Sequence, residues 1–204
     1  MTDIKNEILQ KSKDLFLSLG FKSVTMDDIA RELGMSKKTL YSYYNKKERL
    51  VADSVLFVFN DICCDIDGIC EASTNPIQEL YDIKRMVLSK LKGDKSSPIH
   101  QLQRYYPKVH DDLKSRHFDH MQECFNKNLK EGIAQGLYIP TINREFVSRI
   151  YFVGMQGIKD LEIFPIDKFP VQELYDQYLD YHLRGIVTPA GRKILNQITN
   201  KNHD

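Results

Sequence analysis

A chain of 204 residues, 42% apolar and 28% charged with a formal net charge of +1, has the ordinary balance of a globular protein of one or two domains. Its longest apolar runs, Val55–Phe59 and Ile150–Met155, reach five or six residues, against the roughly 20 that a bilayer-spanning helix needs, so no membrane partner is expected. The opening residues Asp3, Lys5 and Glu7 belong to no apolar signal segment, and Cys63, Cys64, Cys70 and Cys124 show no CxxC pairing, which argues against a disulfide frame and for reduced thiols in a cytoplasmic protein.

Helical periodicity runs through almost every segment, and strand signals are absent. Ile4, Ile8, Leu15 and Leu19, flanked by Leu9 and Phe16, line one face of a first helix, with Gly20 at its C-terminal cap. Thr25-x-x-Asp28 opens a second helix as a capping box, and Val24 with Ile29 has staple spacing. Gly34 ends that helix. Ser36 caps a third, with Met35 and Leu40 repeating the staple, and Asn45-x-x-Glu48 starts a fourth that runs to about Cys70. Along the fourth, Val51, Val55, Val58, Ile62, Ile66 and Ile69 recur every three or four residues, and Val55–Phe59 is apolar on all sides, which predicts burial.

Breaks at Asn75-Pro76, Gly93–Pro98, Tyr106-Pro107, Gly136–Pro140 and Pro165–Pro170 then separate five further helical segments. After Gly185 the sequence predicts a turn and a short frayed helix. There are no internal repeats.

Charge is unevenly spread. Residues 1–50 carry 10 Lys/Arg against 7 Asp/Glu, while the remainder carries 19 against 21, so the more basic end is the one suited to a polyanion. Within it, two short helices joined by Gly34-Met35-Ser36 form a helix-turn-helix pattern, the glycine permitting the tight turn. The second helix of such a pair buries one side and offers the other to a DNA major groove. Leu40 and Tyr44 supply the buried side. Lys37, Lys38 and Thr39 are the candidates for base readout, since lysine donates to guanine and a threonine methyl touches the thymine methyl. Tyr41 and Ser42 fall towards solvent with the lysines, near the helix end that reaches base edges, while Thr25, Ser36, Tyr41, Tyr43 and Lys47 offer the hydroxyls and cation that suit phosphates.

The string from Thr25 through Met26-Asp27-Asp28-Ile29-Ala30, Gly34-Met35-Ser36, Thr39-Leu40-Tyr41 and Lys47 to Leu50 resembles the DNA-binding domain of TetR-family regulators. Tyr44 stands where phenylalanine is usual and Lys38 where a small residue is frequent. The specific likeness covers residues 4–50. It implies double-stranded operator DNA as partner, a homodimer with recognition helices about 34–36 Å apart, and a C-terminal domain whose ligand alters that spacing. The expected fold is all-α with about nine helices: a helix-turn-helix DNA-binding domain over residues 1–48 and a helical effector-binding and dimerisation domain over 49–204.

The resemblance places a dimer seam on the last two long helices, at Phe146, Ile150, Val153, Gly154, Gly157, Leu161, Leu174, Tyr178 and Leu183. An apolar or amphipathic effector would be lined by Phe59, Cys63, Tyr105, Met121, Phe125, Phe152 and Gln156, residue types that serve equally as plain core. His110, His117, His120 and Cys124 fall on one stripe, within about 80° on a helix. Only His117, His120 and Cys124 are near enough along it to share zinc, copper or nickel. A polar helix carries such histidines without a metal, so no metal or cofactor is assigned. A thiol switch at Cys63, Cys64 or Cys124 has no stronger basis. The acids Asp65, Asp67, Asp111 and Asp112 lack a partner histidine, and there is no nucleophile elbow, phosphate-binding glycine loop or HExxH, so catalysis is not expected. The competing function is a DNA-bound factor whose helical domain docks another protein and takes no small molecule.

Overall fold

The computed structural model describes residues 2–90 and 98–201. Among them are ten helices and no strand: α1 (Thr2–Leu19), α2 (Met26–Glu32), α3 (Lys37–Tyr43), α4 (Lys47–Ala72), α5 (Pro76–Lys90), α6 (Pro98–Tyr105), α7 (Pro107–Ala134), α8 (Arg144–Gly157), α9 (Val171–Arg184) and α10 (Pro189–Lys201). The proline and glycine breaks fall between helices as expected; the one at Gly93–Pro98 lies, except for Pro98, outside the described residues. The chain divides into two compact units, residues 2–62 with 98–116 and residues 63–90 with 117–201.

In the first unit α1 buries Ile8, Ser12 and Phe16, with Leu9 and Leu15 packed beside them. Ile4 and Leu19, expected on that face, are 41% and 61% exposed. They sit at the helix ends, where the stripe has drifted off the core. Gly20 ends α1 at φ +90°, a left-handed backbone that favours glycine, with the end of the Gln101 side chain lying over it. Leu50, Val51 and Val55 of α4 and Leu102 of α6 complete this core. The unit therefore extends past residue 48 because its apolar core does. Leu56, Phe57, Val58 and Phe59 are only half-buried, so the all-round apolar stretch is not interior in the single chain.

The second unit closes around Ile77, Leu80, Tyr81, Phe125, Leu129, Tyr138, Leu179, Leu183 and Leu195. Gly132 leaves the space that the Tyr138 ring fills; a Cβ there would come within 2.1 Å of it. The Tyr138 hydroxyl donates to Asn128 Oδ1 at 3.0 Å, and Asn128 Nδ2 donates to the Pro76 carbonyl and to Glu79 Oε1, each at 2.8 Å. This satisfies a buried polar group on α7 from two directions. An isolated antiparallel bridge pairs Tyr138 with Val187. The expected frayed tail is instead the 13-residue α10, held by fully buried Leu195 and by Gly191, which lies against the Leu137 carbonyl.

Candidate nucleic-acid interface

The helix-turn-helix is built by local hydrogen bonds the sequence already announces. Asp28 N donates to Thr25 Oγ1 at 3.1 Å, and Thr25 N donates back to Asp28 Oδ2 at 3.0 Å. This reciprocal box starts α2. The Thr25 hydroxyl and Thr25 N, both donating to Asp28 Oδ2, with Arg31 alongside, hold the Asp28 carboxyl down at about 2. Gly34 takes φ +63° and turns the chain; Ser36 Oγ then accepts Thr39 N at 3.1 Å and starts α3.

Leu40 and Tyr44 are buried to 0% and 1% exposure, which roots α3 on the core. Lys37, Lys38, Thr39, Tyr41 and Ser42 lie outward and exposed. Lys37 reaches back to Asp27 Oδ2 at 2.5 Å, a pair in which both side chains stay more than half exposed and which contributes about 0–1 kcal/mol. Lys38 makes no ion pair or hydrogen bond among the described residues. No described residue of the first unit covers this face.

The hydroxyl partners are less free. Thr25 Oγ1 donates to Asp28 Oδ2 at 2.6 Å, Thr39 Oγ1 lies 2.8 Å from Ser36 Oγ, and Ser42 Oγ donates to the Thr39 carbonyl at 2.6 Å. Tyr43 is half-buried against the core. Lys47 Nζ donates to the Phe21 carbonyl at 2.7 Å and approaches the Lys22 carbonyl at 3.4 Å, leaving one of three ammonium donors for an outside acceptor. Burial lowers its pKa from the ordinary lysine value.

Residues 8–53 match the family model described as "Bacterial regulatory proteins, tetR family". Over these residues the chain has the DNA-binding domain of TetR-family transcriptional regulators. Two curated relatives of this chain are named for negative control. The HTH-type transcriptional repressor KstR2 of Mycolicibacterium smegmatis is 22% identical over 202 residues, covering 93% of each chain. The negative regulator IcaR of the biofilm operon icaADBC of Staphylococcus epidermidis is 28% identical over 124 residues, covering 54% of this chain and 67% of the relative. Solved structures share the fold. A TetR transcription regulator from Haloarcula marismortui superposes with TM-score 0.76 at 19% identity, over 92% of this chain and 100% of that one. A transcriptional regulator from Saccharomonospora viridis in complex with choline does so with TM-score 0.69 at 15% identity and the same coverage.

The regulator's expected dimer seam divides in two. Phe146, Ile150, Val153 and Leu161 are 63%, 44%, 60% and 41% exposed, whereas Leu174 and Leu183 are buried in their own chain's core at 6% and 0%. Both leucines therefore leave the interface assignment, because α9 turns that stripe inward. Gly154 also serves the fold: the Tyr178 ring occupies its open side, with Tyr178 Oη donating to the Ile150 and Tyr151 carbonyls at 3.1 and 3.0 Å. Gly157 faces open space. Tyr181, 77% exposed, stands out on α9 and was not anticipated; only the phase of the helix reveals it.

The seven expected lining residues do not form one described cavity. Tyr105 lies exposed in the first unit under the Lys22 ammonium and the Arg104 guanidinium, 5.1 and 5.7 Å from its ring centre, so it is a surface residue. Half-buried Phe59 belongs to the same unit. In the second unit Phe125 stacks on Tyr151 at 4.4 Å, and Phe152 meets His117 and Phe118 edge-on. Gln156 Nε2 lies 3.3 Å from His117 Nδ1, and Cys63 and Met121 are half-buried. A groove of ≈ 200 Å³ in the first unit is lined by Ala52, Val55, Leu56, Lys108, Val109, Asp112 and Leu113 and by none of the seven.

The histidine stripe also resolves differently. His110 contacts Asp111, and His117 turns to Gln156, where burial lowers its pKa to about 4. His120 and Cys124 instead meet Asp67 of α4, with His120 Nε2 3.2 Å from Asp67 Oδ1. Asp67 thus has the histidine partner its neighbourhood in sequence did not show. Among the described residues no helix is long and apolar enough to cross a membrane.

Proposed function

We propose that this chain is a repressor that binds palindromic operator DNA as a homodimer and is released by a small-molecule effector. The observation that carries the reading is the outward face of α3. Lys37, Lys38, Thr39, Tyr41 and Ser42 stand exposed on a helix whose other side is pinned by Leu40 and Tyr44. A seven-residue helix so presented can enter a major groove with its N-terminal side chains at base edges. Thr25, Ser36, Tyr43 and the spare donor of Lys47 then meet phosphates. Residues 1–48 make the DNA contacts, and residues 49–204 bind the effector and dimerise.

The exposed apolar row Phe146, Ile150 and Val153 of α8 supports the dimer, because an uncovered stripe of this kind marks an association surface. Repression is supported by the names of the two curated relatives, and a small-molecule effector by the choline held in the structurally similar regulator. An effector that binds better to the conformer with unsuitable helix spacing lowers operator affinity by population shift.

Selection of binding sequences from random duplex DNA tests the reading. The expected outcome is enrichment of an inverted repeat bound by two chains. No enrichment over the starting pool would overturn it.

A further inference from the structure

Within the second unit, α4 and α7 bring together a set of ligand atoms that the proposed regulator function does not use. On α4, Cys63, Asp67 and Cys70 follow at i, i+4 and i+7 and share one face; on α7, His120 and Cys124 follow at i and i+4. Asp67, His120 and Cys124 each offer an atom, and these atoms lie within 4.8 Å of one another. The separations are 3.2 Å from Asp67 Oδ1 to His120 Nε2, 3.7 Å from His120 Nε2 to Cys124 Sγ, and 3.9 Å from Cys124 Sγ to Asp67 Oδ1.

Those lengths are close to the edges of a tetrahedron around zinc. With Zn–S near 2.3 Å and Zn–N or Zn–O near 2.1 Å, ligand atoms stand about 3.4–3.6 Å apart. Cys70, one turn further along α4, is outside this triangle, and its Sγ lies 3.7 Å from Glu79 Oε1, the carboxylate already fixed by Asn128; the fourth position of the tetrahedron is left to water. Asp67 is 58% exposed and His120 20%, which leaves one side open for an ion to arrive.

We propose that Asp67, His120 and Cys124 bind one divalent cation of the zinc type in a tetrahedral N, O, S site, completed by a water molecule, that ties α4 to α7. A thiolate and an imidazole select a borderline ion over magnesium or calcium. On binding, Cys124 releases its thiol proton to water, and the thiolate with Asp67 balances the charge of the ion.

The test uses the reduced full-length chain, freed of metal with a chelator and titrated with Co²⁺ in the absence of DNA. The expected result is one equivalent per chain with the visible d–d bands of tetrahedral cobalt and thiolate charge transfer, both abolished by Zn²⁺. His120→Ala and Cys124→Ser each weaken binding more than about tenfold, while Cys64→Ser, at an exposed position outside the cluster, leaves it unchanged. As a check that needs no variant, Zn²⁺ slows alkylation of Cys124 but not of Cys64. Octahedral cobalt spectra, alkylation of Cys124 undiminished by Zn²⁺, or undiminished binding in the His120→Ala, Cys124→Ser double variant would overturn the site.

Discussion

The Lys47 ammonium donates to the Phe21 carbonyl at 2.7 Å, joining the start of α4 to the start of the turn that follows α1. A residue expected only to touch DNA also holds together the platform beneath α3. Lys47→Ala is therefore expected to lower unfolding free energy by roughly 1.5 kcal/mol, read by urea denaturation. It should also weaken binding to all DNA sequences alike and reduce the log–log salt slope by about 1. A variant as stable as the parent would show that the carbonyl contact contributes nothing.

Lys37 and Lys38 share the outward face of α3 but start from different states. Lys37 must leave Asp27, whereas Lys38 has no such partner to give up. Lys38→Ala is expected to cost about 1–3 kcal/mol on operator DNA with relaxed sequence preference. Asp27→Asn should tighten binding, because the competing carboxylate is gone. Melting temperature should hardly move in either variant; anisotropy titrations on specific and random duplexes check both.

Capping makes part of the stability acid-sensitive. The folded Asp28 carboxyl titrates at about 2, below its unfolded value near 3.8. Its stabilisation is present in full above the unfolded value and is lost as pH falls through the folded one. Asp28→Asn is thus expected to flatten the stability profile between pH 4 and pH 2. A slope there equal to the parent's would remove the capping box from the account.

His182 adds a second window. It is 9% exposed among the rings of Phe125, Tyr151 and Tyr178, Nε2 has no hydrogen-bond partner among the described residues, and burial lowers its pKa to about 4. The unfolded chain takes up the proton first as pH drops below about 6.5, so stability declines from there towards pH 4. The loss from this group is on the order of 3 kcal/mol. His182→Phe should shrink that decline, as followed by thermal melts across the range.

The outward row of α8 can be probed by charge. Phe146→Glu with Val153→Glu places two carboxylates on the exposed stripe, away from the Val147 and Phe152 side that is buried. Sedimentation is expected to show monomers of unaltered helicity, with operator affinity falling as the second half-site contact is lost. A persisting dimer would move the interface elsewhere.

Much of this was legible in the sequence, and the successes share a cause. The Thr25–Asp28 box, the Gly34 turn and the Ser36 cap are decided by residues within a few positions, so local chemistry suffices to place them. The failures are long-range. Leu174 and Leu183 have the periodicity of a dimer seam and of a core alike, and only the direction in which α9 packs separates the two. Asp67 and His120 are 53 positions apart, so nothing near either one signals the other. Gly154 read as a place for helices to meet, but a tyrosine 24 residues later fills it.

The turn after α1 closes on a side chain that the ribosome adds 81 residues later. Gln101 packs over Gly20, and Leu102 seals the same core at 2% exposure. During synthesis the helices that carry α3 emerge first yet lack their last layer until about half the polypeptide exists. The DNA-reading end is thus finished late, and a nascent chain stalled before α6 displays an apolar gap where Leu102 belongs.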